Sequence, residues 1–550
     1  MKQKQRLDAW QTISFVILAL YALFLVLPMI SLLRNAVIGP DGTFTLQYFQ
    51  EFFAKKSYYG TLINSFQVSV AVTAASLVLG TLFAYFYCLF DLKGKSFLQI
   101  ISILCCMSPP VIGAYSWIQM FGRAGIFTKA ISSLLGVRVP DIYGFGGIVI
   151  VITCQLFPLV FLYLCGAIKN IDNSLIEASS GLGCNSFTRF VKVILPLCMP
   201  TILAAGLLVF MRAFADFATP QLIGRGYKTF PVLIYTQYVG ETTTNHYFAA
   251  AMSVVGIVVT AIIFLVQKFA TTRFTFTMNA LHPIETRKPG RVTGALMHLY
   301  CYFIVFVAFL PQMFVAWQSF RRCKNNVFLD GYSLDSYRVA FNHIVKRSLP
   351  NTFTIGLSAL ALVILLAILI AYLVVRRPGS VNNIIDTLSM VPYIIPGAVV
   401  GIALVITFNS GPLVLTGTAA IMVIALIIRR LPYTIRSSVA ILQQIPMSIE
   451  EAAISLGCSK LRAFFLVTVP MMAGGIMSGA IVSWITIITE LSTAIILYSA
   501  RTETLTLSVY SRVTQGYDGE AAAIATILLA LTTVSLLLFM KFSKNKDLAL

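Results

Sequence analysis

The chain has 550 residues, of which 58% are hydrophobic and 11% charged, with 40 Lys and Arg against 20 Asp and Glu. A soluble domain carries about 25% charged residues, so this composition excludes an ordinary soluble globular protein. The net charge of +20 reads as a membrane-topology signal rather than a nucleic-acid surface, because no basic run or nucleic-acid-binding pattern accompanies it.

Many apolar runs exceed the ~18 residues that mark a membrane-spanning helix. Lipid forces each spanning backbone to satisfy itself, so the expected class is an all-α integral membrane protein. Twelve spans are expected in chain order. The first six lie at about 10–33, 61–90, 97–120, 147–167, 198–222 and 248–268. The second six lie at about 296–319, 352–375, 384–408, 417–438, 472–499 and 520–541. Lys2, Lys4 and Arg6 precede a first run too long for a secretory h-region, so it reads as a retained helix. The expected division is a first six-helix repeat at 1–270, a cytoplasmic linker at 271–293 with Pro283, Pro289, Arg287 and Lys288, and a second six-helix repeat at 294–550.

The two halves are parallel repeats. Residues 171–196 and 445–470 align without a gap at an offset of 274, with 10 of 26 identical, against roughly one or two by chance. Phe44–Phe49 echoes Tyr332–Tyr337, Asn64 echoes Asn351, and Pro158 echoes Pro432 at the same 274. Pro109 and Pro110, and Pro392 and Pro396, break the third span of each half. An even number of spans per half gives both the same direction, and a pathway between them follows. With the N-terminus inside, the linker and C-terminus are cytoplasmic. The linker, the Lys541–Lys546 tail and the Arg429–Arg430 pair support that orientation.

The repeated stretch is the most polar shared piece. Ser174 and Glu177, and Ser448 and Glu451, have Ser-x-x-Glu spacing, which predicts a capping box at a helix start. Gly183 and Gly457 stand where a helix-ending glycine is expected. A second short helix then leads to Pro196 or Pro470 at the start of the next span. Capping alone accounts for Ser, Glu and Gly. It does not account for two such elements of equal length, which suit a symmetric cytoplasmic partner.

Glu-Ala-Ala-x-x-x-Gly followed by Ile-x-Leu-Pro resembles the signature of binding-protein-dependent ABC importer permeases. Glu177, Ala178, Gly183 and Pro196 keep their places in the first copy, with Ser179 for Ala and Val193 for Ile. Glu451, Ala452, Ala453, Gly457 and Pro470 keep theirs in the second, with Val467 and Val469 for Ile and Leu. The resemblance covers essentially the whole chain and implies coupling helices at about 174–195 and 448–469. It also implies a cytoplasmic ABC ATPase dimer as partner, with ATP and Mg on that partner and no cofactor in this chain. An extracytoplasmic solute-binding protein and a place in the cell (inner) membrane follow likewise. The fused layout and the stretch Phe214–Gly224 resemble ferric-iron permeases, with polyamine, thiamine and aminoethylphosphonate permeases similar here.

Inside the spans, Arg212 and Asp216 sit four apart and are expected to pair on one helix face, and Glu490 holds the position of Asp216 at offset 274. These three are expected to line or gate the pathway, or else to stabilise packing. Gly475 and Gly479 are expected to pack the halves together. No catalytic or metal-binding constellation is expected: the histidines are scattered, and Gly94-Lys95-Ser96 lacks the leading glycine of a phosphate loop, with Leu89 in its place. An ion-gradient-driven transporter of two six-helix halves is the rival from another class. It has no use for two capped cytoplasmic helices.

Overall fold

A computed structural model describes residues 8–136, 140–240, 245–273, 282, 284–324 and 326–542. Lys2, Lys4, Arg6, residues 274–281 and Pro283 of the expected linker, and the tail beyond 542 lie outside the described residues.

The chain is helical almost throughout. The main helices are α1 (Ala9–Val37), α2 (Lys56–Leu89), α3 (Lys95–Met107), α4 (Pro110–Phe121), α5 (Phe145–Lys169), α6 (Asn173–Gly181), α7 (Ser186–Ala215) and α8 (His246–Arg273). They continue as α9 (Arg291–Ser319), α10 (Asp335–Arg376), α11 (Ser380–Ile394), α12 (Gly397–Phe408), α13 (Ala419–Gln444), α14 (Met447–Ser455), α15 (Lys460–Ile488) and α16 (Asp518–Phe542). Among the described residues nine helices are long and apolar enough to cross a membrane, or eleven if each of two bent pairs is one span. Between that count and the twelve expected stands α13, 26 residues long and carrying Arg429, Arg430 and Arg436. Large apolar residues such as Val70, Ile262 and Leu365 are exposed on outer faces, as a lipid-facing surface requires.

The bent pairs are the third span of each half. α3 meets the segment Pro110–Leu135, which α4 opens, at 98°, and α11 meets α12 at 113°. Pro109 and Pro396 stand just before the second helix of each pair, where a missing N–H and a fixed φ end one helix and start another. A second proline effect recurs three times. The π-helical turns Ala22–Val26, Phe190–Ile194 and Phe464–Thr468 each end two residues before Pro28, Pro196 or Pro470. The widened turn accommodates the proline ring, which otherwise clashes with the carbonyl four residues back.

Two cores form, and the first helix of each half joins the core of the other. Trp10, Ile17 and Leu32 of α1 pack with second-half residues such as Tyr372 and Val399. Cys301, Ile304 and Ala308 of α9 pack with first-half residues such as Phe83 and Phe161. Trp10 lies 4.3 Å from the Tyr372 ring, and Asp8 pairs with Arg377 at 3.6 Å. This exchange ties the halves together.

The echoed short motifs do equal work in both halves. Thr45 and Ser333 each accept the N–H two residues on, opening Gln47–Ala54 and Asp335–Ala340. Asn64 donates to the Lys228 carbonyl at 2.9 Å, and Asn351 to the Arg501 carbonyl at 2.9 Å. Each second span thereby holds the irregular segment that follows its half's fifth span. Gly475 and Gly479 do not join the halves. Any Cβ there would strike Ile441 and Ser437 of α13, so the pair seats α15 on α13 within the second half.

Candidate coupling elements and translocation chamber

α6 and α14 are the repeated polar stretch, and their ends are built alike. Leu182, Gly183 and Cys184 donate to Ala178, Ser180 and Ser179 carbonyls; Leu456, Gly457 and Cys458 donate to Ala452, Ile454 and Ala453. Both are Schellman endings, with Gly183 at φ 80° and Gly457 at φ 94°, the left-handed conformation glycine adopts without strain.

The starts differ from expectation. The N-cap of α6 is Asp172, whose carboxylate accepts the Ser174 N–H at 2.9 Å, and the N-cap of α14 is Pro446, which offers no side-chain cap. Ser174 and Ser448 lie inside the helices, so neither copy forms the expected capping box. Glu177 instead accepts from the Asn173 side chain at 2.8 Å. Glu177, Ala178, Glu451 and Ala452 are exposed, Ala453 is half-buried and Ser179 is buried. The expected second short helix is the first turn of a longer one: α7 and α15 run from Ser186 and Lys460 through the π turn and past Pro196 and Pro470.

One tyrosine of each second span anchors each element. Tyr85 packs on Phe190 at 4.5 Å and donates to the Ser186 carbonyl; Tyr372 packs on Phe464 at 4.7 Å and donates to Glu450. The outward surfaces also match. Leu182 is 86% exposed and Leu456 88%, at the same place in the two repeats, and Phe187 and Leu461 are exposed at another matched pair. Two equivalent apolar knobs thus stand on two rigidly ended helices.

The charged residues of the spans gather elsewhere. A cavity of about 200 Å³ lies between α5 and α7 of one half and α13 and α15 of the other. Arg212, Asp216, Arg429, Arg430, Tyr433 and Glu490 line it, together with the break at Met107–Pro110. Arg212 and Asp216 do not share a helix face, because α7 ends at Ala215 and Asp216 is extended. Asp216 accepts the Ala218 N–H at 3.1 Å, and Glu490, beyond the end of α15, accepts the Thr493 N–H at 3.0 Å. Both carboxylates cap the segment that follows them.

Arg430 donates to Glu490 in a buried ion pair, and Arg429 stands 3.9 Å from the same carboxylate. These arginines are therefore chamber residues and not the cytoplasmic topology charges expected. The signal that singled out Arg212, an ionisable residue within an apolar run, was equally present at 429 and 430. At the matching first-half position Gln155 donates to the Ser108 carbonyl at the helix break. The halves thus place their cations differently, on the fifth span in one and the fourth in the other.

A second cavity of about 550 Å³ shares Met107, Arg212 and Tyr433 with the chamber. It extends along α5 and α13 toward α6 and α14, past Tyr163, Arg436 and Ser437. Arg212 and Tyr433 therefore stand between this vestibule and the charged chamber.

Among known proteins, the family described as "Binding-protein-dependent transport system inner membrane component" matches residues 76–275 and 363–546. The ferric transport system permease protein FbpB of Actinobacillus pleuropneumoniae is 28% identical over 86% of this chain and 70% of its own length. The putative 2-aminoethylphosphonate transport system permease protein PhnU of Salmonella typhi is 25% identical over 47% of this chain and 89% of its own length. A crystal structure of a bacterial alginate ABC transporter, solved with an alginate pentasaccharide-bound periplasmic protein, is 18% identical over 48% of this chain and 95% of its own, with a TM-score of 0.41. With the family matched once in each half, over well beyond half of its length, the chain belongs to the binding-protein-dependent inner-membrane permeases and is an ABC importer permease of the fused, two-repeat kind.

Proposed function

We propose that α6 and α14 are the coupling helices through which two cytoplasmic ATPase subunits drive this permease. The observation that carries this is the matched exposure of Leu182 and Leu456 on two identically ended helices. A symmetric partner with an apolar socket on each subunit fits that pair. Glu177, Glu451 and the adjoining alanines border the knobs, and Gly183 and Gly457 fix where the knobs stand. On this reading the coupling elements and the N-terminal end of α1 face the cytoplasm of an inner-membrane protein, and ATP and Mg reside on the partner.

Cargo then passes from a solute-binding protein outside, through the chamber at Arg212, Asp216, Arg429, Arg430 and Glu490, into the inner vestibule. Ferric iron is the cargo supported by the relative matched over most of the chain. Aminoethylphosphonate is the second reading, favoured by three guanidinium groups in the chamber. A polyamine, a polycation, is disfavoured by the same groups.

The test is reconstitution with the ATPase and binding protein. Binding-protein-stimulated ATP hydrolysis is expected, together with uptake of labelled iron. Uptake by the chain alone, untouched by Leu182→Asp with Leu456→Asp, would refute coupling; labelled aminoethylphosphonate taken up in place of iron would reassign the cargo.

A further inference from the structure

The chamber holds three guanidinium groups and two carboxylates, a net positive site between the halves. Glu490 is already committed to Arg430. Arg429 Nη1 is buried with no hydrogen-bond partner, an arrangement that is costly unless something arrives to accept from it. Gly397 makes room for it: any side chain there would strike the Arg429 guanidinium. The site also gathers helix starts. Pro110, the first residue of α4, lines the cavity, and Gly397, the first residue of α12, abuts Arg429. Both helices are 12 residues long, and their positive ends add to the field of the arginines. A volume of about 200 Å³ has room for a small oxyanion and a few waters, at about 30 Å³ for each water.

Resting on the importer reading, we propose that this chamber is an oxyanion-binding site in the pathway, with Arg429 as its principal donor, so that cargo crosses with an anionic group leading. A planar guanidinium with a free edge suits phosphate-like oxygens. The same chemistry serves a free phosphonate and the anionic ligands of a ferric complex. A bare ferric ion meets repulsion from three guanidinium groups.

The experiment measures binding of labelled inorganic phosphate to the purified full-length chain, with and without equimolar ferric ion. Saturable binding is expected. Arg429→Gln weakens it by about tenfold or more, the worth of a charged hydrogen bond. Asp216→Asn tightens it several-fold by removing a negative charge from the chamber. Should Arg429→Gln not be recovered folded, Asp216→Asn decides alone. Binding without iron assigns a free oxyanion, and binding only with iron assigns an anion carried on the metal. No saturable binding in either arm, or either folded variant leaving affinity unchanged or moving it the opposite way, overturns the proposal. The assay needs no ATPase, so its failure is distinguishable from failure of the importer reading, which ATP coupling tests.

Discussion

In the first copy of the repeated element, α6, the Arg189 guanidinium donates to Ser179 Oγ at 3.0 Å and to the Cys184 carbonyl at 3.2 Å, fastening the helix end to the next turn. In the second, alanines hold both matched positions, Ala453 and Ala463, and no such fastener exists. The second is held instead from its other side, by Glu450 bonded to Tyr372 and, at 3.5 Å, to Thr468. The first has Ile176 where Glu450 stands. Two different polar fasteners thus hold one backbone geometry. On the coupling proposal the position of the knobs is what a symmetric partner reads, and each half reaches it with its own interior.

The largest expected effect breaks the shared part. Leu182→Asp with Leu456→Asp places carboxylates on both knobs, and co-purification with the ATPase is expected to fall to background. Because both sites are solvent-exposed, thermal stability changes by about 0.5 kcal/mol or less. Either single change tests whether one element suffices, and retention of the ATPase by the double variant would end the coupling proposal.

Next comes the fastener of the second element. Glu450→Ala strands the Tyr372 hydroxyl and is expected to cost about 1–3 kcal/mol, seen as a lower melting temperature. Arg189→Ala is expected to cost less, because Ser179 keeps its bond to the Ile176 carbonyl and the Cys184 segment reaches water. Equal losses would mean that the two fasteners are energetically interchangeable.

The glycine endings should respond alike in both copies. Gly183→Ala and Gly457→Ala each force a Cβ into the left-handed region, costing about 1–2 kcal/mol, with open space around both sites. Hydrogen exchange of the two helices would show the loss locally, and a copy-specific difference would contradict their shared design. The smallest effect sharpens the comparison. Ser179→Ala with Arg189→Ala turns the first interior into that of the second, and the double variant should be closer to wild type than the Arg189→Ala single. A double-mutant cycle measures this coupling.

The periodicity of 274 and the long apolar runs made the helical membrane class, the two repeats, the helix-ending Gly183 and Gly457 and the proline breaks legible in the sequence alone. These are local properties: runs, glycine conformation and proline geometry act within a few residues of themselves. The caps were misread because Ser-x-x-Glu is compatible with an N-cap two residues earlier, at Asp172 and Pro446. The chamber was read only in part, as Arg212, Asp216 and Glu490, because an arginine pair in an apolar run satisfies the positive-inside pattern as well as a pathway role, and only packing distinguishes the two.

By itself the sequence determined that this chain is a helical membrane protein of two repeats, each with a glycine-ended polar helix. Tertiary structure alone decided that α1 and α9 exchange cores, that Gly475 and Gly479 seat α15 on α13, and that Arg429, Arg430 and Glu490 of the second half share one chamber with Arg212 and Asp216 of the first. Each of those contacts joins surfaces far apart in the chain, so it is set by packing and by pairing of buried charge, which no single stretch encodes.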